Sequence, residues 1–199
     1  MKKNIFILLF INSILSANTL ISNQIVTIGG SVTEIVFAIG EGHKVIAVDQ
    51  SSTLPPEVKN LDQVGYIRSI SAEGILSVRP NKILTTNEIG PPNVVKQIQG
   101  TGVDLVIFDS PKNFNDILKL IKEISEELNV ENKGSNLINK MKSDYSNIQT
   151  KIKSFSKSNK IAFFMNSNNG ISFNAAGSGT RANYLIEFIG GENIFKNEF

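Results

Sequence analysis

The stretch "IVTIGGSVTEIVFAIGEGHKVIAV", residues 25–48, decides the fold. Ile25 to Ile28 is a short apolar run, the pattern of a buried strand. Gly29-Gly30 makes a tight turn. Ser31 to Glu34 has the S-x-x-E spacing of a capping box, and Val32, Ile35, Val36 and Ile39 recur at helical spacing behind it. Gly40 and Gly42 close that helix, and Val45 to Val48 reads as a second strand. A strand, a helix and a strand in direct succession predict a parallel sheet covered by helices.

The unit recurs downstream. Ser71 to Val78 predicts a short helix and Lys82 to Thr85 a strand. Pro91-Pro92 can open a helix running to Gln99, with Gly100 and Gly102 after it. Asp104 to Phe108 follows as a strand, and Phe114 to Leu128 as a helix with Ile117, Leu120, Ile121 and Ile124 on one face. Residues 132–157 differ. Leu137, Ile138, Met141, Tyr145, Ile148 and Ile152 form one apolar stripe among Lys, Asn and Ser, which predicts a single long amphipathic helix able to bridge two lobes. Lys160 to Met165 then predicts a strand, Gly170 to Phe173 another, and Thr180 to Ile189 a helix ending at Gly190-Gly191.

The expected fold is therefore α/β, with two Rossmann-like lobes joined by one long helix. The expected boundaries are a leader over 1–17, an N-terminal lobe over 18–131, the interlobe helix over 132–157 and a partial C-terminal lobe over 158–199. With about two strands and one helix by these signals, the second lobe is expected to be incomplete and to leave a sheet edge and an apolar patch uncovered.

The leader reading rests on Lys2-Lys3, the apolar run Ile5 to Leu15 and the small pair Ser16-Ala17, the layout of a secretory signal peptide too short to span a membrane. Of the 20 basic residues two lie in that leader, against 18 acidic ones. A balanced charge gives no footprint for nucleic acid or an anionic membrane surface. There is no cysteine, which excludes a disulfide scaffold, a thiolate metal site and a lipidated cysteine. An exported, cysteine-free chain suits a periplasm.

Four motifs bear on chemistry. Gly29-Gly30-Ser31 sits between a strand and a helix, where backbone N–H groups can hold an anion, but a plain capped turn is the favoured reading. It lacks the spacing of a nucleotide loop. His43, the one histidine, falls in a loop and reads as solvated. Gly177-Ser178-Gly179-Thr180-Arg181 is a second turn before a helix, again an anion cradle or an N-cap. In "QVGYIRSISAEGILSVRPNKIL", residues 63–84, Tyr66 and Arg68 are two apart. In an extended segment they would share a face. A guanidinium beside a phenol favours phenolate, a donor suited to ferric iron and known as a haem ligand, and the same guanidinium could meet a haem propionate. Spacing alone favours an ordinary packed or surface tyrosine. Glu73 and Arg79 read as a solvated helical face.

Taken together, "IVTIGGSVTEIVFAIGEGHKVIAVDQSSTLPPEV", "QVGYIRSISAEGILSVRPNKIL", "IGPPNVVKQIQGTGVDLV" and "AAGSGTRANYLIEFIGGENI" resemble the haem (hemin) subfamily of periplasmic binding proteins that serve ATP-driven importers. They belong to the wider superfamily of cobalamin and siderophore binders with a helical backbone between the lobes. The resemblance covers nearly all of the chain after the leader, and VGYxRxxSAEG is its most specific part. It implies a haem carrier without catalytic residues. It implies Tyr66 as the axial iron ligand, Arg68 as its neighbour, and Glu73 as a docking acid for the inner-membrane permease and its ATPase. An outer-membrane haem receptor system would stand upstream. It also implies a further strand–helix stretch after GGEN that these 199 residues do not contain. Three other readings stay open: a siderophore or cobalamin binder of the same fold, a nonfunctional truncated remnant, and a secreted α/β enzyme. The last lacks a G-x-S-x-G elbow, a histidine near any serine and a metal cluster.

Overall fold

The computed structural model describes residues 24–154, 159–167 and 172–198. The expected leader and its cleavage point after Ala17 lie outside the described residues, as do residues 155–157 of the expected long helix and the start of the strand expected at Gly170. The chain divides into two compact units, ending at Ser110 and beginning at Pro111.

The first unit is built on β1 (Ile25–Ile28), β2 (Val45–Val48), β3 (Asp62–Gln63), β4 (Lys82–Thr86) and β5 (Asp104–Phe108). They form one sheet in the order β3-β2-β1-β4-β5. Every pairing is parallel. Its described helices are α1 (Gly30–Ala38), α2 (Ala72–Ser77) and α3 (Pro92–Gln99). β1 is buried along its whole length, as a strand covered on both faces must be. Val26, Ile28, Ala47, Val64, Ile67, Ile70, Ile75, Ile83, Ile89 and Ile98 form one buried cluster. Ile75 and Ile98 are the contributions of α2 and α3 to it.

Two local readings change. The capping box over Ser31–Glu34 does not form. The helix starts earlier, with Gly29 at the N-cap and no side-chain cap, and Ser31 already lies inside α1. The Gly29 N–H is instead taken by a side chain from β2's end, described below. The second difference is β3, two exposed polar residues that carry no periodicity to read. α2 starts as expected, with Ser71 Oγ accepting from the Gly74 N–H at 2.9 Å.

The second unit opens with α4 (Phe114–Glu127) and α5 (Glu131–Lys153). The sequence placed the lobe boundary at 131. The structure groups α4 with α5 because the two helices pack on each other, and α5 lies wholly in the second unit. The expected stripe is present on α5: Leu137, Ile138, Met141, Tyr145 and Ile152 are partly buried, while Ile148 is exposed. After α5 come β6 (Lys160–Ile161), β7 (Phe164–Ser167), β8 (Ser172–Ala175), α6 (Arg181–Phe188) and β9 (Glu192–Asn193). The single strand expected over Lys160 to Met165 is two strands. β6 pairs in parallel with β9, and β7 pairs antiparallel with β8. An unbroken apolar run carries no signal for a change of partner, so periodicity joined them. Phe163, Phe164, Met165 and Phe173 are exposed by 44–66%, the uncovered apolar surface that the sequence suggested for this lobe.

Tyr145 ties α5 to α4 and α6. Its ring stacks on Phe114 at 3.9 Å and on Phe188 at 4.9 Å. Its hydroxyl shares a 3.1 Å hydrogen bond with that of Tyr184. That hydrogen bond first, and burial second, push the Tyr145 phenol above its ordinary range. The folded state thus holds this proton more tightly than the unfolded chain. The associated stability is present below the ordinary phenol value, about 10, and is lost as pH climbs past it. Tyr145→Phe is expected to flatten the alkaline limb of the stability–pH profile measured by urea unfolding. An alkaline limb identical to the parent's would remove Tyr145 from that role.

α4 and α5 approach closely at Gly134. A Cβ there would lie 2.5 Å from Ser125 Cβ and closer still to its Oγ. Alanine at 134 would gain about 1 kcal/mol of helix propensity, but overpacking of this kind costs about 1–3 kcal/mol. Gly134→Ala is therefore expected to lower unfolding stability, and Ser125→Gly in the same chain to restore part of the loss. A neutral or stabilising Gly134→Ala would show that the helices have room to part.

Candidate functional site

A parallel sheet brings the ends of all its strands to one edge, and ligands of open α/β sheets bind outside that carboxyl edge. In the first unit this edge collects four segments: the Gly29-Gly30 turn after β1, Asp49 to Ser52 after β2, Gly65 to Ser69 after β3, and Asn87 to Gly90 after β4.

Gly65 takes φ +110°, a conformation open to glycine and costly for other residues. Its carbonyl accepts the Gln50 N–H at 2.8 Å. Tyr66 follows in an extended conformation, and Ile67 to Ser69 then form one 3-10 turn, closed by the Ser69 N–H on the Tyr66 carbonyl at 2.8 Å. Ile67 is buried in the core cluster, whereas Tyr66 is 43% exposed. The turn is pinned from its other side as well. The Gly90 N–H donates to the Ile67 carbonyl at 2.9 Å, and the Ile70 N–H donates to the Gly90 carbonyl at 3.0 Å. Tyr66 is thus held on an anchored stretch of backbone with its ring outward. Among the described residues its hydroxyl has no hydrogen-bond partner.

The 3-10 turn changes the expected relation of Tyr66 to Arg68. The argument from shared faces needed an extended segment, and the chain leaves that conformation at Ile67. Arg68 instead faces Glu88, with Nη2 3.7 Å from Oε1. Glu73 sits exposed in the first turn of α2, where a carboxylate complements the helix dipole. His43 is exposed in a 3-10 turn over Gly42–Lys44. Thr180 takes the N-cap of α6, accepting from the Asn183 N–H at 3.1 Å, and Arg181 Nε donates to the Pro111 carbonyl at 2.8 Å. Among the described residues no three His, Cys, Asp or Glu side chains converge as a metal site. An open groove of about 420 Å³ lies elsewhere on the unit, lined by Glu34, Phe37, Ala38 and the Leu54–Glu57 segment. None of Tyr66, Arg68 or Glu73 contributes to it. The anchored tyrosine is the better site candidate, because the groove is open and lacks convergent polar groups on a rigid scaffold.

The sequence reading missed Asp49. It is fully buried, and each carboxylate oxygen accepts twice. Oδ1 accepts from the Gly29 N–H at 2.8 Å and from Ser52 Oγ at 2.6 Å. Oδ2 accepts from the Ser51 N–H at 3.0 Å and Ser51 Oγ at 2.5 Å. Because Ser52 spends its proton on Asp49, Thr33 Oγ1 must donate to Ser52 Oγ at 2.7 Å, and Thr27 Oγ1 to Thr33 Oγ1 at 2.8 Å. The buried hydroxyls form one polarised chain ending on the carboxylate. The available signal was an Asp at a strand end followed two residues on by Ser, the pattern of an Asx turn.

The chain belongs to the periplasmic binding protein family, whose pattern matches residues 25–199. It is similar to the uncharacterized ABC transporter substrate-binding lipoprotein YvrC of Bacillus subtilis, 29% identical over 85% of this chain and 54% of that protein. It is 23% identical to the vitamin B12-binding protein of Vibrio parahaemolyticus, over 97% of this chain and 68% of that one. Among solved structures, the periplasmic heme-binding protein RhuT from Roseiflexus superposes with a TM-score of 0.82 at 31% identity, over 86% of this chain and 65% of RhuT. The chain thus spans about half of YvrC and less than two thirds of RhuT. Among the described residues no helix is long and apolar enough to cross a membrane.

Asp49→Asn replaces one acceptor oxygen by a donor facing two donors. It is expected to cost about 3 kcal/mol, the scale of stranding buried polar partners, read by urea unfolding. A loss no larger than that of an ordinary surface change, about 0.5 kcal/mol, would refute the clamp.

Proposed function

We propose that this protein is a periplasmic haem carrier that delivers hemin to an inner-membrane ABC permease and its ATPase. It performs no chemistry of its own. The observation that carries the reading is Tyr66, presented outward at the carboxyl edge of a parallel sheet on a backbone pinned by the Gly65 and Gly90 bonds. A phenolate oxygen is a haem-iron donor, and rigid presentation is what a ligating group needs. The likeness to RhuT, a heme-binding protein, supports the same ligand class. Tyr66 would be the axial ligand, Arg68 its cationic neighbour, and Glu73, exposed on α2, a docking carboxylate for the permease. The expected leader pattern and the family support an exported location.

A second reading is cobalamin. The vitamin B12-binding protein of Vibrio parahaemolyticus aligns along 97% of the chain. Tyr66 separates the two, because cobalamin brings its own metal ligands and needs no phenolate.

Titration with hemin is expected to produce the charge-transfer band of ferric haem ligated by phenolate. Tyr66→Phe is expected to abolish that band and weaken hemin binding by at least about tenfold, the lower end of the cost of losing even a supporting group at a metal. An unchanged spectrum and affinity in Tyr66→Phe, or tight cyanocobalamin binding that the substitution leaves intact, would overturn the haem assignment.

A further inference from the structure

Two charged residues stand at the rim of this carboxyl edge, Arg68 in the segment after β3 and Glu88 in the segment after β4, and the backbone beside each is fixed. Arg68 is flanked by Ile67, and Glu88 by Ile89, and both isoleucines are buried in the same core cluster. The two loops are stitched together by Gly90 N–H to Ile67 O at 2.9 Å and Ile70 N–H to Gly90 O at 3.0 Å. The neighbouring Asn87 N–H is fixed on the Phe108 carbonyl at 2.8 Å. The approach of the two side chains is therefore set by the fold. Their pair is nonetheless weak. At 3.7 Å it is longer than a charge-assisted hydrogen bond. The Arg68 side chain is 66% exposed and that of Glu88 33%. An exposed pair of this geometry holds its partner only lightly. A second carboxylate able to meet the guanidinium as a two-bond fork would displace it.

We propose that Glu88 is a specificity determinant at this rim: it occupies Arg68 in the free protein and is exchanged for a carboxylate of the incoming ligand. The proposal rests on the haem reading and deepens it. It selects porphyrins that carry both a metal for Tyr66 and a free acid for Arg68. A ligand with an acid gains the fork and only has to break a loose pair. Small adventitious anions, which gain nothing at Tyr66, meet a guanidinium that is already partnered.

The test is a double-mutant cycle in the full chain, with hemin and hemin dimethyl ester as probes. Glu88→Gln is expected to tighten hemin binding by about two- to fivefold, the range such an exposed pair can be worth. The gain is expected to vanish in the Arg68→Ala background and with the dimethyl ester. An equal gain in the Arg68→Ala background would mean that Glu88 merely repels the ligand, and it overturns the exchange. An equal gain with the ester overturns it too, since Arg68 would then act on the phenolate. No gain with either probe likewise overturns it. In each of these cases hemin binding by the parent protein leaves the carrier reading standing. Failure of the parent to bind hemin removes that reading and the exchange together.

Discussion

The carboxyl edge of the first unit depends on one buried group. Asp49 directly follows β2, yet its oxygens satisfy the Gly29 N–H after β1 and both serines of its own loop. A helix N-terminus has backbone donors that need acceptors. Here the acceptor comes from the next strand, so forming the cap also sets the distance between two loops of the edge. The chain of hydroxyls through Ser52, Thr33 and Thr27 extends the same bond network into α1 and β1. No buried side-chain polar atom among the described residues is left without a partner, so the network rigidifies without leaving an unmet cost.

The position of Tyr66 follows from that edge. Asp49 fixes the end of β2, and the next residue, Gln50, donates to Gly65. Gly65 turns the chain and Ile67 plugs it into the core. A side chain between a turn glycine and a buried isoleucine has one direction left to it, away from the core. The exposure of Tyr66 is thus a consequence of its neighbours' burial. The same holds one loop away, where Ile89 anchors and Glu88 is presented.

Where a residue's role depended on its own segment, the sequence could be read. The β1–α1–β2 unit, the short helix after Ser71, the Pro92 start of α3 and the stripe on α5 all rest on spacing within one element, and spacing survives in the text of the chain. Where the role depended on a partner distant in sequence, it could not. The Ser31–Glu34 box met every local rule, yet the helix starts before it, with Gly29 at the N-cap and its N–H held by Asp49 twenty residues away. Arg68 looked aligned with Tyr66 until the 3-10 turn, fixed by Gly90, moved it toward Glu88. β6 and β7 read as one strand because their separation comes from two different partners, β9 and β8.

The two units differ in what holds them. In the first, five strands and three helices among the described residues close over a cluster of ten buried residues. In the second, the described strands form two-stranded pairs and leave Phe163, Phe164, Met165 and Phe173 in contact with solvent. Sheets of two strands bury little, and their stability comes from what packs on them. Every bond that orients Tyr66, from Gln50, Ser69, Gly90 and the buried Ile67, originates in the first unit. The conformation of Tyr66 is therefore set by residues of the first unit itself.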